Sequence, residues 1–443
     1  MGRKRTLLKH EQGIIIMVVA VFMLAVIGAM AAISIDVITL YTARSEAQLA
    51  ADGAALAGAR VLANSGMTSS TSTTIADNAV ALASAIATQV AASNQVGGRN
   101  LNPGAGEVTV TFPNQRSPLL FGVNPQVTVQ VQRTDLPTFF ARIWGRTALT
   151  VKASATAEAY NPSNITGTSA TSKTPVAPTC VKPWLLPNLN PNPVPLAPTI
   201  FDVTTGNISD PNLLGLSSAP PAPGAGPPMS LACTGGFCSP PPTGTLPNPS
   251  PWTYYPGLDD AADFPHPTHS LPTCSTALNS YQESIAGCIE VPIACNATIN
   301  IDTSNDLNRD SDTAAAVNCL TRATVNPVDA DRVDTPPPFQ FLAGVNNPVP
   351  GAAGKNVMVS SSLVTVPVFE PSTSGTWQTT GNVQIVGFVQ LFLNPDGLAA
   401  PVPATPGSVN TTIINLVGCG PTATGQPILG NGASPVAVRL ISQ

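Results

Sequence analysis

Charge is scarce in this 443-residue chain, in which Asp, Glu, Lys and Arg together make up 10%, against roughly 25% in an ordinary soluble domain. A housekeeping soluble enzyme is a poor match to that composition. Histidine occurs three times, as His10, His266 and His269, which leaves little material for acid–base catalysis or a zinc centre. There is no basic excess either. The formal net charge is -5, so the sequence argues against nucleic acid as a partner, because such binding leans on a positive surface. Cysteine is absent from the first 179 residues. All eight cysteines follow, at Cys180, Cys233, Cys238, Cys274, Cys288, Cys295, Cys319 and Cys419, and no C-x-x-C knuckle suggests a metal. An even number confined to the later part predicts intramolecular disulfides in an oxidising compartment and leaves their pairing open. Cys233 and Cys238 enclose only Thr234-Gly235-Gly236-Phe237, the dimensions of a small closed loop. His-Glu-x-x-His and Gly-x-Ser-x-Gly are both missing, so hydrolase chemistry has no carrier.

What the chain does have begins at its N-terminus. A basic tail over 1–12, with Arg3, Lys4, Arg5 and Lys9, precedes an uncharged stretch over 13–35. As a helix that stretch would reach about 35 Å, enough to cross a bilayer. The basic residues on one side predict a cytoplasmic N-terminus, with the remainder of the chain carried across the membrane. Ala29-Met30-Ala31 has the look of a signal-peptide cleavage site, but the apolar run continues to Ile35, so a retained single-pass anchor is expected. Gly28 and Ala32 form a small-xxx-small element that suits a helix–helix contact within the membrane.

The helical period continues past Asp36, which marks the exit. Ala47, Ala51, Ala54, Gly58 and Val61 recur at three- and four-residue spacing, and Asn64-Ser65-Gly66 is a stop. A second helix is predicted from a cap at Thr73 or Thr74, with Ile75, Ala79, Leu82, Ile86 and Val90 on one stripe and an end near Gly97-Gly98. From Glu107 the period becomes two. Three alternating runs, around Val108–Phe112, Val127–Val131 and Leu149–Ala159, predict a half-buried antiparallel sheet with Glu158 on its polar face. Between the last two, Pro137 to Gly145 reads as one or two helical turns with Phe139 and Phe140 packed under the sheet.

These residues carry a family resemblance. Gln12-Gly13, the apolar helix, Ile35-Asp36-Val37, Leu40-Tyr41 and Gln48-Leu49-Ala50-Ala51-Asp52-Gly53-Ala54-Ala55-Leu56-Ala57-Gly58-Ala59 occur in order, followed by Phe139-Phe140-Ala141-Arg142 and Gly145. Over about residues 1–160 the chain resembles the TadE/TadG-like proteins of the tight-adherence (Flp-type) pilus machinery. The resemblance implies a pilin-like α+β region over 36–160, no catalytic residues, and other pilus or envelope assembly proteins as partners. Pseudopilins of that system carry Glu five residues after the cleaved Gly. Val18 stands there, so prepilin-peptidase processing is not expected, and the chain is more similar to the longer, unprocessed TadG-like members.

Residues 161–353 hold 32 of the 46 prolines, and between Pro183 and Asn308 there is no Lys or Arg. An irregular, disulfide-tied spacer is expected, in which Leu186-Pro187 and the prolines after it exclude helix and central strand. Residues 354–443 return to strand patterning and predict an all-β terminal module. The fold class is therefore α+β.

Three loops invite chemistry. Gly351-Ala352-Ala353-Gly354-Lys355-Asn356 lacks the first Gly and the Ser or Thr of a phosphate loop, and a turn is the better account. Asp302 to Asp312 places oxygen atoms at alternate positions as a calcium loop would, and its start resembles the Asp-x-Ser-x-Ser of von Willebrand-type domains. It lacks the turn Gly and the distal Glu, so a solvated acidic loop is expected. Asp259, Asp260, Asp263, His266 and His269 cluster without zinc spacing. No catalytic, cofactor or metal residue is therefore assigned. A non-catalytic envelope-assembly role leads, with a membrane-anchored adhesin or a metal-dependent envelope enzyme as rivals.

Overall fold

The computed structural model describes residues 7–163, 174–192, 197–216, 229–231, 253–257, 278–289, 291–301, 309–323, 329–373, 376–377, 381–394, 407–420, 426–429 and 434–442. Its longest element is α1 (Leu7–Asn64), one unbroken helix of 58 residues and about 87 Å. No Pro or β-sheet register interrupts it, and its two halves meet different surroundings. From Ile14 to Ile27 nearly every large apolar side chain is exposed, whereas Ala43, Ala47, Ala50, Ala51, Ala54, Ala55, Ala59 and Leu62 are fully buried. The helix stops as the Asn-Ser-Gly triplet predicts. Gly66 adopts φ 84, and a Cβ there would lie 2.9 Å from the Phe339 ring.

The chain returns as α2 (Thr73–Ser93), capped one residue earlier than expected, by the Ser72 side chain on the Ile75 N–H. Its buried face is Ala76, Ala79, Ala83, Ala87 and Ala91. Of the expected stripe, only Ala79 lies on it. Ile75, Leu82, Ile86 and Val90 flank the contact half-buried, because small side chains let the two helices approach closely. Gly97-Gly98 does not end the helix, which stops at Asn94. Both glycines have positive φ, 58 and 84, and form the two-residue turn of a small hairpin pairing Gln95–Val96 with Arg99–Asn100.

Three strands follow: β1 (Val108–Asn114), β2 (Gln126–Pro137) and β3 (Ala148–Tyr160). They pair antiparallel, with Val110 opposite Val129 and Val129 opposite Ala155. Val127, Val129, Val131, Val151, Ala153, Ala155 and Ala157 alternate into the face covered by α1. The β2–β3 connection contains the expected helical turn, a 3-10 turn over Ala141–Trp144 closed by Gly145 at φ 79. Phe139, expected beneath the sheet, is instead 60% exposed.

A second sheet uses β4 (Trp184–Pro187), β5 (Thr253–Pro256), β6 (Thr298–Ile301), β7 (Leu363–Phe369), β8 (Gly381–Leu393) and β9 (Thr411–Gly418). β8 is its spine. β7 pairs along one edge of it, and β6 and β9 share the other in tandem. β4 lies between β7 and β5, parallel to the first and antiparallel to the second. Every residue of β7 and β9 is buried, the mark of strands covered on both faces. Two helices, α3 (Ser280–Ala286) and α4 (Arg309–Thr321), join that core through Tyr281, Ile285, Ala316, Val317 and Leu320.

The expected boundary at 353 is therefore crossed by hydrogen-bonded sheet. β4, β5, β6, α3 and α4 come from the supposed spacer, and β4 is a central strand despite Pro187 at its end. The Pro-rich run after it is held by asparagine side chains doing the work of missing backbone donors. Asn188 exchanges two hydrogen bonds with Phe201 at 2.9 Å each, and Asn190 and Asn192 both donate to the buried Asp210, at 3.0 and 3.1 Å. The last strand, β10 (Ala437–Ser442), departs from the expected C-terminal module altogether. It pairs antiparallel with β3, Arg439 opposite Glu158. Glu158 is consequently buried, bonded to Arg439 at 2.6 Å rather than free on a polar face. Disulfides Cys180–Cys288 and Cys295–Cys419 tie the second sheet's loops. Cys319 is also disulfide-bonded, and no described cysteine is free.

Candidate functional site

The place where α1 changes surroundings is the most specific construction in the molecule. Asp36 occurs at the end of the apolar stretch, on the helix face that continues through Ala43 and Ala47 into the core. It is 8% exposed. Its carboxylate accepts backbone N–H groups from the β2–β3 connection: Phe139 at 2.9 Å, Phe140 at 3.1 Å and Ala141 at 2.6 Å. Those are the donors that open the Ala141–Trp144 turn and would otherwise lack acceptors. The donation from Phe139, followed by those from Ala141 and Phe140, outweighs partial burial and holds the carboxyl below the usual aspartate range. Beside it Ile33, Val37, Leu40, Ala141 and Leu149 line an open apolar groove. A charged group on an otherwise apolar helix is thereby converted into a latch for a hairpin about a hundred residues away in sequence.

The opposite end of α1 is fixed by a buried polar seam. The Asn415 amide donates to the Ala63 carbonyl and to Gln390 Oε1, both at 2.6 Å. Ser69 accepts from the Leu416 N–H at 3.0 Å and donates to the Leu416 carbonyl at 3.1 Å. Asn161 donates to the same carbonyl at 2.9 Å. The turn between α1 and α2 is thus hydrogen-bonded into β9. The sequence offers only a polar Ser/Thr run there, which looks like any exposed loop.

Lys182 is a base whose pKa burial lowers strongly. It is 3% exposed, and its ammonium donates to the carbonyls of Ile285, at 2.7 Å, and Gly287. It caps the C-terminal end of α3, and burial pushes its pKa down to about 7. No carboxylate faces it in the described hydrogen bonds, and its position is structural.

The loops singled out in the sequence do not assemble a site. Gly351 to Asn356 is a turn, with Gly351 and Gly354 at φ 72 and 74. Asp312 accepts from the Asn279 and Gln282 side chains of the α3 cap, at 2.6 and 2.9 Å. Residues 302–308, the cluster Asp259, Asp260, Asp263, His266 and His269, and the Cys233–Cys238 loop lie outside the described residues. Among the described residues no group of three His, Cys, Asp or Glu could hold a metal. Of the small-residue pair, Gly28 faces open space, whereas Ala32 is 8% exposed and already covered by the protein itself. α2 is also apolar and long enough to cross a membrane by composition, but its alanine face is packed on α1.

Residues 13–61 match the family model described as Tad, Flp pilus-assembly TadE/G-like. The matched segment is α1 from the start of its apolar stretch to its buried end. The match bears out the resemblance to TadE/TadG-like proteins over that segment and supports a role related to Flp pilus assembly. No curated protein and no solved structure matches the chain.

Proposed function

We propose that the chain is a non-catalytic component of tight-adherence (Flp-type) pilus assembly, held in the inner membrane by a single span over residues 13–35. The N-terminus is cytoplasmic, the body lies on the far side, and other assembly proteins are its partners. The observation that carries this is the double use of α1. One helix is an exposed apolar rod over its first half and the central strut of a folded body over its second, and the family match runs across both. Such a helix transmits the position of the body to the membrane without a flexible joint, as an assembly component requires. Asp36 and the β2–β3 tip brace the junction.

Deletion of the gene tests the role. Loss of surface pili, restored by the intact gene, is the expected result. Pili retained with attachment lost would replace this reading with an adhesin, and chelator-sensitive turnover by the purified protein would replace it with an enzyme. N-terminal sequencing of membrane-extracted protein tests the anchor, and a mature terminus at Ala32 would remove it.

A further inference from the structure

We propose that the β2–β3 connection, residues 138–147, is a foot that seats the body on the membrane by binding anionic phospholipid headgroups through Arg142 and Arg146. This rests on the reading of residues 13–35 as a span. The foot's height is set by Asp36, whose carboxylate holds the N–H groups of Phe139, Phe140 and Ala141 against the turn of α1 that follows the apolar stretch. A helix over 13–35 reaches about 35 Å, against about 30 Å of hydrocarbon core. Residues 138–147 therefore stand in the headgroup layer.

The chemistry of the foot fits that layer. Between Asp135 and Glu158 the charged residues are Arg142, Arg146 and Lys152, all basic and all exposed. Neither arginine forms an ion pair among the described residues. Asp36, the acid at that height, is already engaged by backbone donors. Phe139 stands 60% exposed beside the arginines, and Tyr41, little more than a turn beyond Asp36, is 69% exposed. Aromatic rings next to guanidinium groups, just outside an apolar span, suit the membrane interface, and guanidinium pairs with phosphate through two parallel hydrogen bonds. A basic residue near an anionic surface favours binding by about fivefold, so the two arginines together shift the balance of seated over lifted body by about 30-fold.

The test uses the full chain in lipid nanodiscs, with a nitroxide on Ala148→Cys at the foot or on Thr111→Cys, about 30 Å away along the sheet. Accessibility to lipid-soluble oxygen is compared with that to a water-soluble nickel complex. In phosphatidylcholine discs containing phosphatidylglycerol, the label at 148 should favour oxygen and the label at 111 should favour nickel. Arg142→Glu with Arg146→Glu should return position 148 to the aqueous profile, and Arg142→Lys with Arg146→Lys should preserve seating. An aqueous profile at 148 in a chain that remains in the anionic disc overturns the foot. Equal profiles in discs with and without phosphatidylglycerol overturn the anionic recognition. A chain that does not enter the discs at all defeats the membrane span itself, a distinguishable failure.

Discussion

Asp36 and Lys182 are charges placed where the surrounding chain is apolar, and each survives because backbone groups complete it. For Asp36 the three N–H donors stabilise the carboxylate and lower its pKa, the Phe139 bond contributing most. A depressed carboxylate contributes stability above its unfolded pKa, and that contribution is lost as pH falls through the folded value. Asp36→Ala at neutral pH, and acidification below the carboxylate range in the parent, should both release the β2–β3 tip. Trypsin cleavage at Arg142 and Arg146 reads this out, and unchanged cleavage of Asp36→Ala would show that the latch is dispensable. Lys182 has a linkage of the same sign in a higher pH window. Its folded pKa, about 7, lies below the ordinary lysine value of 10.5, so the unfolded chain binds more protons between those values, and stability should rise with pH across that window. Urea midpoints at several pH values should show the rise, and Lys182→Met should flatten it while lowering stability, because the Ile285 and Gly287 carbonyls lose their donor. Asp36 was legible in the sequence as the end of the apolar run. Its partners were not, because no periodicity relates a helix residue to a hairpin tip about a hundred positions later.

Periodicity serves better within elements. The break from period 3.6 to period 2 near Glu107 located β1, β2 and β3, and Asn64-Ser65-Gly66 located the end of α1, because each signal is local. Two errors came from tertiary partners that local patterns do not carry. On α2 the larger aliphatics were expected at the contact, but the alanine row Ala76, Ala79, Ala83, Ala87 and Ala91 sits there. Gly58 shows why: a Cβ on it would stand 3.3 Å from both the Ala87 Cβ and the Val127 methyls. Glu158 was expected on a solvated face and is covered by Arg439, whose guanidinium also lies 4.9 Å from the Tyr160 ring centre. These particulars set the expected ranking of two substitutions. Ala54 is fully buried between packed elements, so Ala54→Leu should overpack the interface and cost about 1–3 kcal/mol. Glu158→Gln loses an ion pair whose arginine is 43% exposed, and should cost about 1 kcal/mol or less. Denaturant unfolding of the two variants measures both, and equal losses would mean that α1 is not tightly packed at Ala54.

At the scale of the whole molecule, the sequence suggested three consecutive parts and the structure interleaves them. Composition shifts mark where proline becomes common. They do not mark where hydrogen bonds go, and here the Pro-rich part supplies β4, β5 and β6 to the sheet built around β8. One cluster of buried side chains runs from Ala43 on α1 through Val129 and Ala155 to Phe388, Val417 and Cys419. The 36–160 region depends on later chain in three ways. β10 pairs with β3 from Tyr160 to Thr156. β9 accepts the α1–α2 turn through Asn415 and Leu416. The Phe339 N–H donates to the Ser65 carbonyl at 3.1 Å, and its ring closes over Gly66. Residues 36–160 expressed alone would leave β3 as an open edge and the Ala63, Ser65 and Ser69 polar groups without their partners from later chain, each at about 1–3 kcal/mol where it stays buried. Against a typical total of about 5–15 kcal/mol, several such losses remove most of the stability of a domain. The fragment should therefore be cleaved rapidly by proteases and expose dye-binding apolar surface, whereas residues 36–443 with disulfides intact should resist. If the short fragment resisted as well as the long one, the N-terminal helix–sheet layer would be an autonomous domain, and the seam at Asn415 would be an interface between separable parts rather than part of one core.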